Sequence, residues 1–383
     1  MMTKEQWPTV KLGDLYRKTR STDPRKNPDH EYKLFSIPAY DSAKPERVQG
    51  RDVGSTKTIL ESGDVLLSKI VPHIQRVWVI AEAQNAIGSS EWIVLNDNRF
   101  DPDCLRHYLF SKEFHKRFLL TVAGVGGSLS RARPSAAARI EIPLPPLEEQ
   151  RKIARVLGNC SKLHDQISGR RNLLESLFRS TTTSIFGNYS PTRKLEDFAT
   201  VKTGPFGSMI HQSDYFSPGV PLINPQHIVN NKLSPSAEHQ ISSAKARTLE
   251  QYILRPGDII LGRRGQMGRA ALVAMSDCPV ICGTGCLIVR PHRIEDSVWL
   301  WAYLTGPLAT QLLERAAIGA TLPNLNSKIV SQLKVPSINS DLKSQIDQLH
   351  RTTSRLLEKI DKSSVLTTEL QASLYARAFN GKL

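Results

Sequence analysis

Cysteine is scarce in this sequence, and long apolar runs are missing from it. The 383 residues include five cysteines, an odd number that offers no paired disulfide framework and is typical of a reducing compartment. A membrane-spanning helix needs roughly 20 consecutive apolar residues, and no stretch approaches that length. The opening residues, MMTKEQWPTVKLGDL, lack the apolar segment of a secretory signal. We therefore expect a soluble, cytoplasmic protein that does not interact with membranes.

The sequence also lacks the motifs of a nucleotide-using enzyme. No GxxxxGK followed by Ser or Thr is present, so ATP-driven translocation has no support. Residues 124–127 and 262–268 are glycine-rich, but they lack dinucleotide-binding spacing and are typical of turns. The segment NPQH at 224–227 differs from the Asn-Pro-Pro-aromatic or Asp-Pro-Pro-aromatic loop of an adenine methyltransferase. The sequence therefore predicts a protein without catalytic activity.

Three cysteines and a histidine raise the possibility of a zinc site, but the spacing of the cysteines disfavours it. Cys278, Cys282 and Cys286 lie near His292, but their intervals of three residues do not form the usual paired pattern. Cys282 and Cys286 also flank a strand-like segment. We expect no bound metal.

Acidic residues are outnumbered, with 36 Asp and Glu against 51 Lys and Arg, and the net charge is +15. The excess is distributed over the whole chain instead of being confined to a tail. Such a surface suits a polyanion, because phosphate contacts supply most of the sequence-independent affinity for nucleic acid. Solubility alone is the alternative explanation.

The sequence contains an internal repeat with an offset of about 193 residues. Each half begins with short β-rich runs separated by Gly and Pro and closes with a long stretch without internal proline. A repeat is a strong indication of architecture, because each copy must adopt the same fold. The matching segments are LESGDVLLSKI (60–70) with LRPGDIILGRRG (254–265), IGSSEWIVL (87–95) with CGTGCLIVRP (282–291), and residues 123–153 with 317–346.

The long stretch of each half predicts one long helix. The first follows Pro146 and should extend from about Leu147 to Phe186, since proline is favoured at a helix entrance. The second starts at a cap near Ser340 and should end near Phe379, before Asn-Gly.

Both helices carry a coiled-coil stripe in steps of three then four residues. About 34 helical residues span roughly 50 Å. If the two helices pair, they would therefore hold the two globular units farther apart than one turn of DNA, about 34 Å. The alternative is two unrelated amphipathic helices, each packed on its own domain. The stripe consists of Ile153, Val156, Cys160, Leu163, Ile167, Arg170, Leu174 and Leu177 in the first helix, and of Ile346, Leu349, Thr353, Leu356, Ile360, Ser363, Thr367, Leu370 and Leu374 in the second.

Large aromatic side chains fall mostly within apolar patterns. Trp92, Trp299, Trp301 and Tyr303 are therefore predicted to lie in the core instead of forming a base-stacking surface.

The junction IPLPPLEEQRKIARVL (142–157) resembles that of type I restriction-modification specificity subunits. The resemblance extends in the same order over essentially the whole chain. It includes VKLGDL (10–15) and its echo RKLEDF (193–198), KTGPFGS (202–208), GVPLINPQHI (219–228) and the closing LYARAFNGKL. The second junction, VPSINSDLKSQI, lacks the Pro-Pro and Glu-Glu-Gln features, which puts equal partner docking in doubt.

The resemblance implies an α+β fold with two pseudo-symmetric mixed α/β target-recognition domains separated by two long antiparallel coiled-coil helices. The implied segments are 1–145, 146–188, 189–337 and 338–383. The implied function is sequence-specific recognition of a bipartite double-stranded DNA target, without catalysis. The implied partners are two copies of an adenine methyltransferase subunit and the motor-nuclease restriction subunits. S-adenosylmethionine, ATP and Mg are expected only on those partners.

Two loops in each half supply the candidate DNA-binding residues. Glycine lets the backbone approach a ligand, arginine matches guanine or phosphate, and glutamine pairs with adenine. The alternative for the loop after each Gly-Asp strand is a solvated hairpin, and for the loop before each junction it is turn and cap chemistry. The sequence does not distinguish contacts to bases from contacts to phosphates. The loop after each Gly-Asp strand gives Lys69, His73, Gln75 and Arg76, and Arg263, Arg264, Gln266 and Arg269; the loop before each junction gives Ser128, Arg131 and Arg133, and Thr321, Asn324 and Asn326.

Two other functional classes stay open at this point. A nuclease or methyltransferase fragment would need a carboxylate cluster or glycine loop that the sequence does not offer. A helical scaffold that binds no nucleic acid would tolerate charge reversal of Arg263 and Arg264.

Overall fold

The computed structural model describes residues 7–123, 130–316 and 324–383. Short strands and short helices alternate in each half, and each half closes with one long helix. Within these described ranges, no helix combines the length and the apolar character needed to cross a membrane.

The first half forms short strands and helices that lead into its long helix. The strands are β1 (Thr9–Lys11), β2 (Ser21–Thr22), β3 (Glu31–Phe35), β4 (Glu46–Gln49), β5 (Lys57–Ile59), β6 (Val65–Ser68), β7 (Val77–Val79), β8 (Ala86–Gly88), β9 (Trp92–Leu95), β10 (Val122–Ala123), β11 (Arg131–Ala132) and β12 (Glu141–Pro143). The helices are α1 (Ile37–Asp41), α2 (Pro102–Leu109), α3 (Lys112–Leu119), α4 (Pro134–Ala137) and the long α5 (Leu147–Gly187).

The second half also consists of short strands and helices that lead into its long helix. Its strands are β13 (Arg193–Lys194), β14 (Ala199–Thr203), β15 (Tyr215–Ile223), β16 (Ile228–Val229), β17 (Lys232–Leu233), β18 (Gln240–Ile241), β19 (Ile259–Gly262), β20 (Ala270–Leu272), β21 (Ile281–Cys282), β22 (Cys286–Pro291) and β23 (Lys334–Val335). Its helices are α6 (Ser243–Thr248), α7 (Ser297–Leu304), α8 (Pro307–Ala316), α9 (Ser327–Ser331) and the long α10 (Ser340–Ala378). The long helices begin and end within two residues of the predicted bounds.

The two halves share their sheet topology. An antiparallel sheet has the order β7-β6-β9 in the first half, and β20-β19-β22 with β14 added in the second. A second sheet in each half contains one parallel pair, β3 with β8 and β15 with β21. The strand that opens each half pairs with the strand before the long helix, β1 with β12 and β13 with β23. The sequence repeat is therefore a repeat of topology, and the fold is mixed α and β as predicted.

The repeated Gly-Asp pair is a structural turn in both halves. Gly63 and Gly257 adopt φ angles of +86° and +88°, a left-handed conformation that favours glycine. The aspartate that follows is buried and ion-paired: Asp64 lies 2.9 Å from Arg17, and Asp258 lies 2.6 Å from Arg290. Because an unpaired buried carboxylate is costly, these pairs explain why the Gly-Asp turns persist in both halves.

The aromatic residues predicted to be core are buried. Trp299 and Tyr303 are fully buried in an apolar cluster of the second half, which also includes Trp301. Trp92 is buried in the first half, where its indole N–H donates to the Phe35 carbonyl at 2.8 Å. The prediction that these rings are core residues is confirmed.

The chain divides into two compact units, and each contains parts of both long helices. Unit 1 comprises residues 1–167 and 363–383, and unit 2 comprises residues 168–362. This division differs from the four segments expected from the sequence, because packing joins each globular part to the nearest portions of α5 and α10.

In unit 1, the beginning of α5 packs against the end of α10. Ile153 and Leu157 form an apolar cluster with Ala378 and Leu374. The phenol of Tyr375 lies 2.9 Å from His107 Nδ1 on α2, and burial lowers the pKa of His107 to about 4. The end of the chain therefore attaches to the first globular part, with the two helices antiparallel.

In unit 2, the end of α5 packs against the beginning of α10. Phe186 and Ile346 belong to the same buried cluster. Farther along, Phe178 contacts His350 with ring centroids 6.0 Å apart, and Arg171 forms an ion pair with Asp361. The helices are therefore antiparallel here as well.

The buried stripe follows steps of four then three residues, not three then four. Leu163, Leu177, Leu356 and Leu370 are 41 to 57 % exposed, so the prediction that they belong to the buried seam is wrong. Adjacent apolar residues such as Val156 and Leu157 made both phases compatible with the sequence. The positions that follow this spacing, all of them buried or half-buried, are 153, 157, 160, 164, 167, 171, 174 and 178 in α5, and 346, 350, 353, 357, 360, 364, 367, 371, 374 and 378 in α10.

Gln150 attaches the first long helix to its globular part. This fully buried side chain donates to the carbonyls of Arg99 and Pro145, at 2.9 and 2.8 Å, and accepts from the Asp101 N–H at 2.7 Å. It is the glutamine of the Pro-Pro-Leu-Glu-Glu-Gln junction, so that motif has a structural explanation in this chain.

The second half uses different chemistry at the equivalent place. Lys343, 193 residues after Gln150, forms a largely buried ion pair with Asp296. Asp296 also accepts a hydrogen bond from Trp299 Nε1 at 2.7 Å. The junction that lost its Glu-Glu-Gln sequence therefore keeps a polar attachment between helix and globular part.

Replacing Gln150 with methionine keeps the side-chain length and removes three hydrogen bonds. At about 1 kcal/mol for each, the free energy of unfolding is expected to fall by about 3 kcal/mol. Urea denaturation followed by tryptophan fluorescence measures the change. The matched control is Gln348→Met at an exposed position of α10, which is expected to cost less than about 0.5 kcal/mol. Equal effects of the two substitutions would contradict this role of Gln150.

Candidate nucleic-acid interface

In the second half, the two loops predicted to bind DNA contact each other. The Arg263 carbonyl accepts from the Leu325 N–H at 2.9 Å, and Arg264 forms an isolated antiparallel bridge with Asn324. Arg263 Nε also donates to Asn324 Oδ1 at 3.1 Å. The loop after β19 and the segment before α9 therefore form one surface.

Glycines shape the loop that follows β19. Gly265 and Gly268 have φ angles of +79° and +74°, and a Cβ at Gly268 would lie 2.3 Å from Thr310 Oγ1. Only glycine fits there without displacement. The tight turn leaves Arg264 and Gln266 exposed at its tip.

Arg269 connects this loop to a third segment, the loop between β15 and β16. Its Nη1 donates to the Pro225 carbonyl at 3.1 Å, and its Nη2 donates to Gln266 Oε1 at 3.3 Å. Asn224 of the same segment accepts from the Gly285 N–H at 3.3 Å. Residues 224–227, 262–269 and 324–326 thus form a continuous surface, which we call the loop cluster of unit 2.

The loop cluster carries several cationic groups close together. Burial and the neighbouring charge of Arg264 lower the pKa of Arg263, although a guanidinium stays protonated at neutral pH. Asn326, in contrast, caps helix α9 by accepting from the Ile329 N–H at 2.8 Å, as the turn-and-cap alternative predicted.

The first half brings the equivalent loops together by equivalent backbone contacts. Ile70 forms an isolated antiparallel bridge with Arg131, and the Ala132 N–H donates to the Lys69 carbonyl at 2.8 Å. Arg133 is exposed, and Arg131 is ion-paired with Glu91 at 3.0 Å. We call this surface, residues 69–73 with 130–133, the loop cluster of unit 1.

Two predicted residues of the first half are engaged elsewhere. Arg76 is buried and forms a bidentate pair with Asp41 at 2.7 and 2.9 Å, which lowers the pKa of the Asp41 carboxyl. Its prediction as a DNA-contacting side chain is wrong, because the guanidinium is committed to this structural ion pair. Gln75 donates to the Phe110 carbonyl at 3.2 Å, whereas His73 is exposed. Ser128 and Thr321 lie outside the described residues.

The cysteines near the second loop cluster are buried thiols. Burial raises the pKa of Cys286 to about 12 and that of Cys282 well above its usual value. Such thiols are poor metal ligands, because metal binding requires the thiolate. Among residues 7–123, 130–316 and 324–383, no group of three His, Cys, Asp or Glu side chains could hold a metal ion.

The loop at residues 224–227 escaped prediction as a candidate site. Its sequence, NPQH, contains no lysine or arginine, so the charge pattern does not predict a DNA-binding site there. Only the contact between Pro225 and Arg269 places Gln226 beside the predicted residues.

The chain matches the family described as "Type I restriction modification DNA specificity domain" over residues 4–176 and 190–346. It is 21% identical to the type I restriction enzyme MjaVIII specificity subunit of Methanocaldococcus jannaschii, across 94% of this chain and 90% of that protein. Its fold is similar to a solved chain from a study of assembly and conformational transition of the type I restriction-modification system, with a TM-score of 0.60 and 19% identity over the full length of both chains. It is also similar to the S subunit of M. genitalium, with a TM-score of 0.55 and 15% identity over 99% of this chain and 98% of that one.

Proposed function

Because this chain belongs to the family of type I restriction-modification specificity subunits, with one copy of the specificity domain in each half, we propose that it recognises a bipartite DNA target. Each half contacts one block of the target. The long helices hold the two contacts at a fixed spacing and bind the partner subunits.

One observation carries this proposal: the loop clusters of the two units share their backbone contacts and differ in their side chains. The Ile70–Arg131 and Arg264–Asn324 bridges join equivalent loops. The side chains at these loops include Lys69 and Arg133 in one unit, and Arg264 and Gln266 in the other. Loop clusters with the same backbone bridges and different polar side chains would bind two DNA blocks of different sequence.

The exposed side chains fit the chemistry of a DNA groove. A guanidinium such as that of Arg264 matches the O6 and N7 acceptors of guanine or a phosphate. Lysine and arginine at the loops supply sequence-independent attraction, consistent with the net charge of +15. A helical scaffold without a DNA target offers no reason for two matching cationic loop clusters.

We assign the chemistry of the complex to its partners. Arginine, lysine, glutamine and asparagine predominate among the polar groups of the loop clusters, which also include His73 and His227, and these amide and cationic groups suit recognition. S-adenosylmethionine, ATP and Mg are therefore expected on methyltransferase and motor-nuclease subunits. Because the target is DNA, we expect the protein to act in the cytoplasm.

Exposed leucines on the long helices support two equivalent docking surfaces for methyltransferase subunits. Apolar side chains that stay in water commonly mark a protein interface when they cluster. Corresponding members are 193 residues apart, and we call the two sets the leucine patches. They are Leu163, Leu366 and Leu370 in unit 1, with exposed fractions of 43, 66 and 48 %, and Leu356, Leu173 and Leu177 in unit 2, with 41, 70 and 57 %.

Charge reversal at the tip of one loop cluster should affect one block of the target only. Arg264→Glu is expected to reduce discrimination at one block by about 10- to 100-fold, and Arg133→Glu at the other, because each change repels DNA at one arm. Selection from a randomised duplex library by the complex assembled with its methyltransferase measures both. The control, Arg247→Glu, makes the same charge change on α6 and should leave both blocks intact. Unchanged selection by Arg264→Glu and Arg133→Glu would favour the scaffold instead.

Polar substitution of a leucine patch should remove one partner copy. Leu173→Gln with Leu177→Gln, and separately Leu366→Gln with Leu370→Gln, are each expected to reduce the methyltransferase copies from two to one, because apolar area is lost at one surface only. Native mass spectrometry of the complex counts the copies. Ser168→Gln with Asn172→Gln, at exposed positions on a different face of the same helix, is the control and should keep two. Two copies retained by both leucine variants would place the docking surface elsewhere.

A further inference from the structure

Gln226 occupies an exposed position within the loop cluster of unit 2. It follows Pro225, whose carbonyl accepts from Arg269, and it lies between two histidines, His227 and His239. His227 is buried, with 4 % of its surface exposed, and its ring lies 4.8 Å from that of His239 between centroids. The orientation of the Gln226 amide depends on the protons of these two rings.

The backbone determines the protonated nitrogen of His227. The Asn224 N–H donates to His227 Nδ1 at 3.1 Å, so Nδ1 carries no proton. Burial and the nearby His239 lower the pKa of His227, which keeps the ring neutral at neutral pH. A neutral imidazole has one N–H and one acceptor nitrogen. The proton of His227 therefore sits on Nε2, which is a hydrogen-bond donor.

The donor at Nε2 determines which end of the Gln226 amide faces the histidines. One terminal atom of that amide lies 3.2 Å from His227 Nε2 and 3.4 Å from His239 Nε2. A nitrogen at this place would meet an N–H of His227, whereas an oxygen can accept from both rings. The two ends of a glutamine amide occupy interchangeable positions, so the hydrogen-bond pattern decides their identity. The atom between the rings is therefore Oε1, and the NH2 group faces outward.

Gln266 has the same orientation for a separate reason. Its Oε1 accepts from Arg269 Nη2 at 3.3 Å, which turns its NH2 away from Arg269. Arg264, exposed at the tip of the same loop, has donors only. The exposed side chains of the loop cluster thus present hydrogen-bond donors.

We propose that Gln226 is a specificity-determining residue of the second half, and that its outward NH2 group selects a base with an acceptor at its major-groove edge. This inference rests on the proposed DNA-recognition function. Guanine O6 and N7, adenine N7 and thymine O4 are acceptors, whereas cytosine presents only the donor at N4. The two-bond pairing of glutamine with adenine needs a free Oε1, which the histidines occupy. Gln226 therefore selects against cytosine at one base position.

The test exchanges the donor for an acceptor without changing the shape of the side chain. The complex of this chain with its methyltransferase is assembled with the original sequence, with Gln226→Glu, or with Gln311→Glu as a control on the exposed face of α8. Each complex selects duplexes from a randomised library, and the bound DNA is sequenced. Thermal unfolding verifies that all three fold.

The original complex is expected to disfavour cytosine at one position of the second block, and Gln226→Glu is expected to shift that position about tenfold toward cytosine, whose N4 group donates to a carboxylate. The base preference at every other position is expected to stay unchanged with Gln226→Glu. With Gln311→Glu the base preference is expected to stay unchanged at all positions. Uniform weakening of Gln226→Glu across sequences would assign Gln226 to phosphate and overturn the proposal. A variant that selects the original target at every position would also overturn it, while leaving the proposed function intact. If the original complex selects no sequence, the proposed function itself fails.

A second pair of variants tests the contribution of His239 as a positioning residue. His239→Phe removes the ring nitrogen that lies 3.4 Å from the Gln226 amide and is expected to weaken selection at the same base position only. His239→Gln retains a donor and is expected to restore it. Equal selection by His239→Phe and the original sequence would show that the amide orientation does not depend on His239.

Discussion

The antiparallel packing of α5 and α10 is the interaction on which the rest of the structure depends. In unit 1 the pairing buries Ile153 and Leu157 against the end of α10, and in unit 2 it buries Ile346 against the end of α5. Burial of large aliphatic side chains contributes about 1.5–3 kcal/mol each, so a stripe of this length is a major stabilising element. Each globular part is built on this stripe, through Gln150 in one unit and Lys343 in the other.

Equivalent positions in the two halves perform the same structural task with different chemistry. A neutral glutamine with three hydrogen bonds attaches α5, and a lysine–aspartate ion pair attaches α10. The loop clusters show the same relation, with common backbone bridges and different side chains. Loss of the Glu-Glu-Gln sequence at the second junction therefore does not imply loss of the attachment, and the leucine patches are available in both units.

The long helices and the Gly-Asp turns could be predicted from the sequence, because each depends on residues close together in the chain and each occurs in both halves. Helix bounds follow from proline, caps and the repeat, and the Gly-Asp turns follow from backbone conformation. The phase of the stripe could not be predicted, because neighbouring apolar residues such as Val156 and Leu157 fit both phases. The role of Arg76 depends on Asp41, which is 35 residues distant in sequence and near only in the fold. Gln226 was missed for the same reason, since its significance comes from His239 and Arg269.

In the proposed function, the two halves have the same framework and different recognition chemistry. The most direct test replaces residues 189–337 with a second copy of residues 1–145 and measures the target selected from randomised duplex DNA by the complex with its methyltransferase. The expected target is an inverted repeat of the block recognised by the first half, with the spacer length unchanged. Retention of the original second block, or an assembled complex that selects no repeat of the first block, would contradict it.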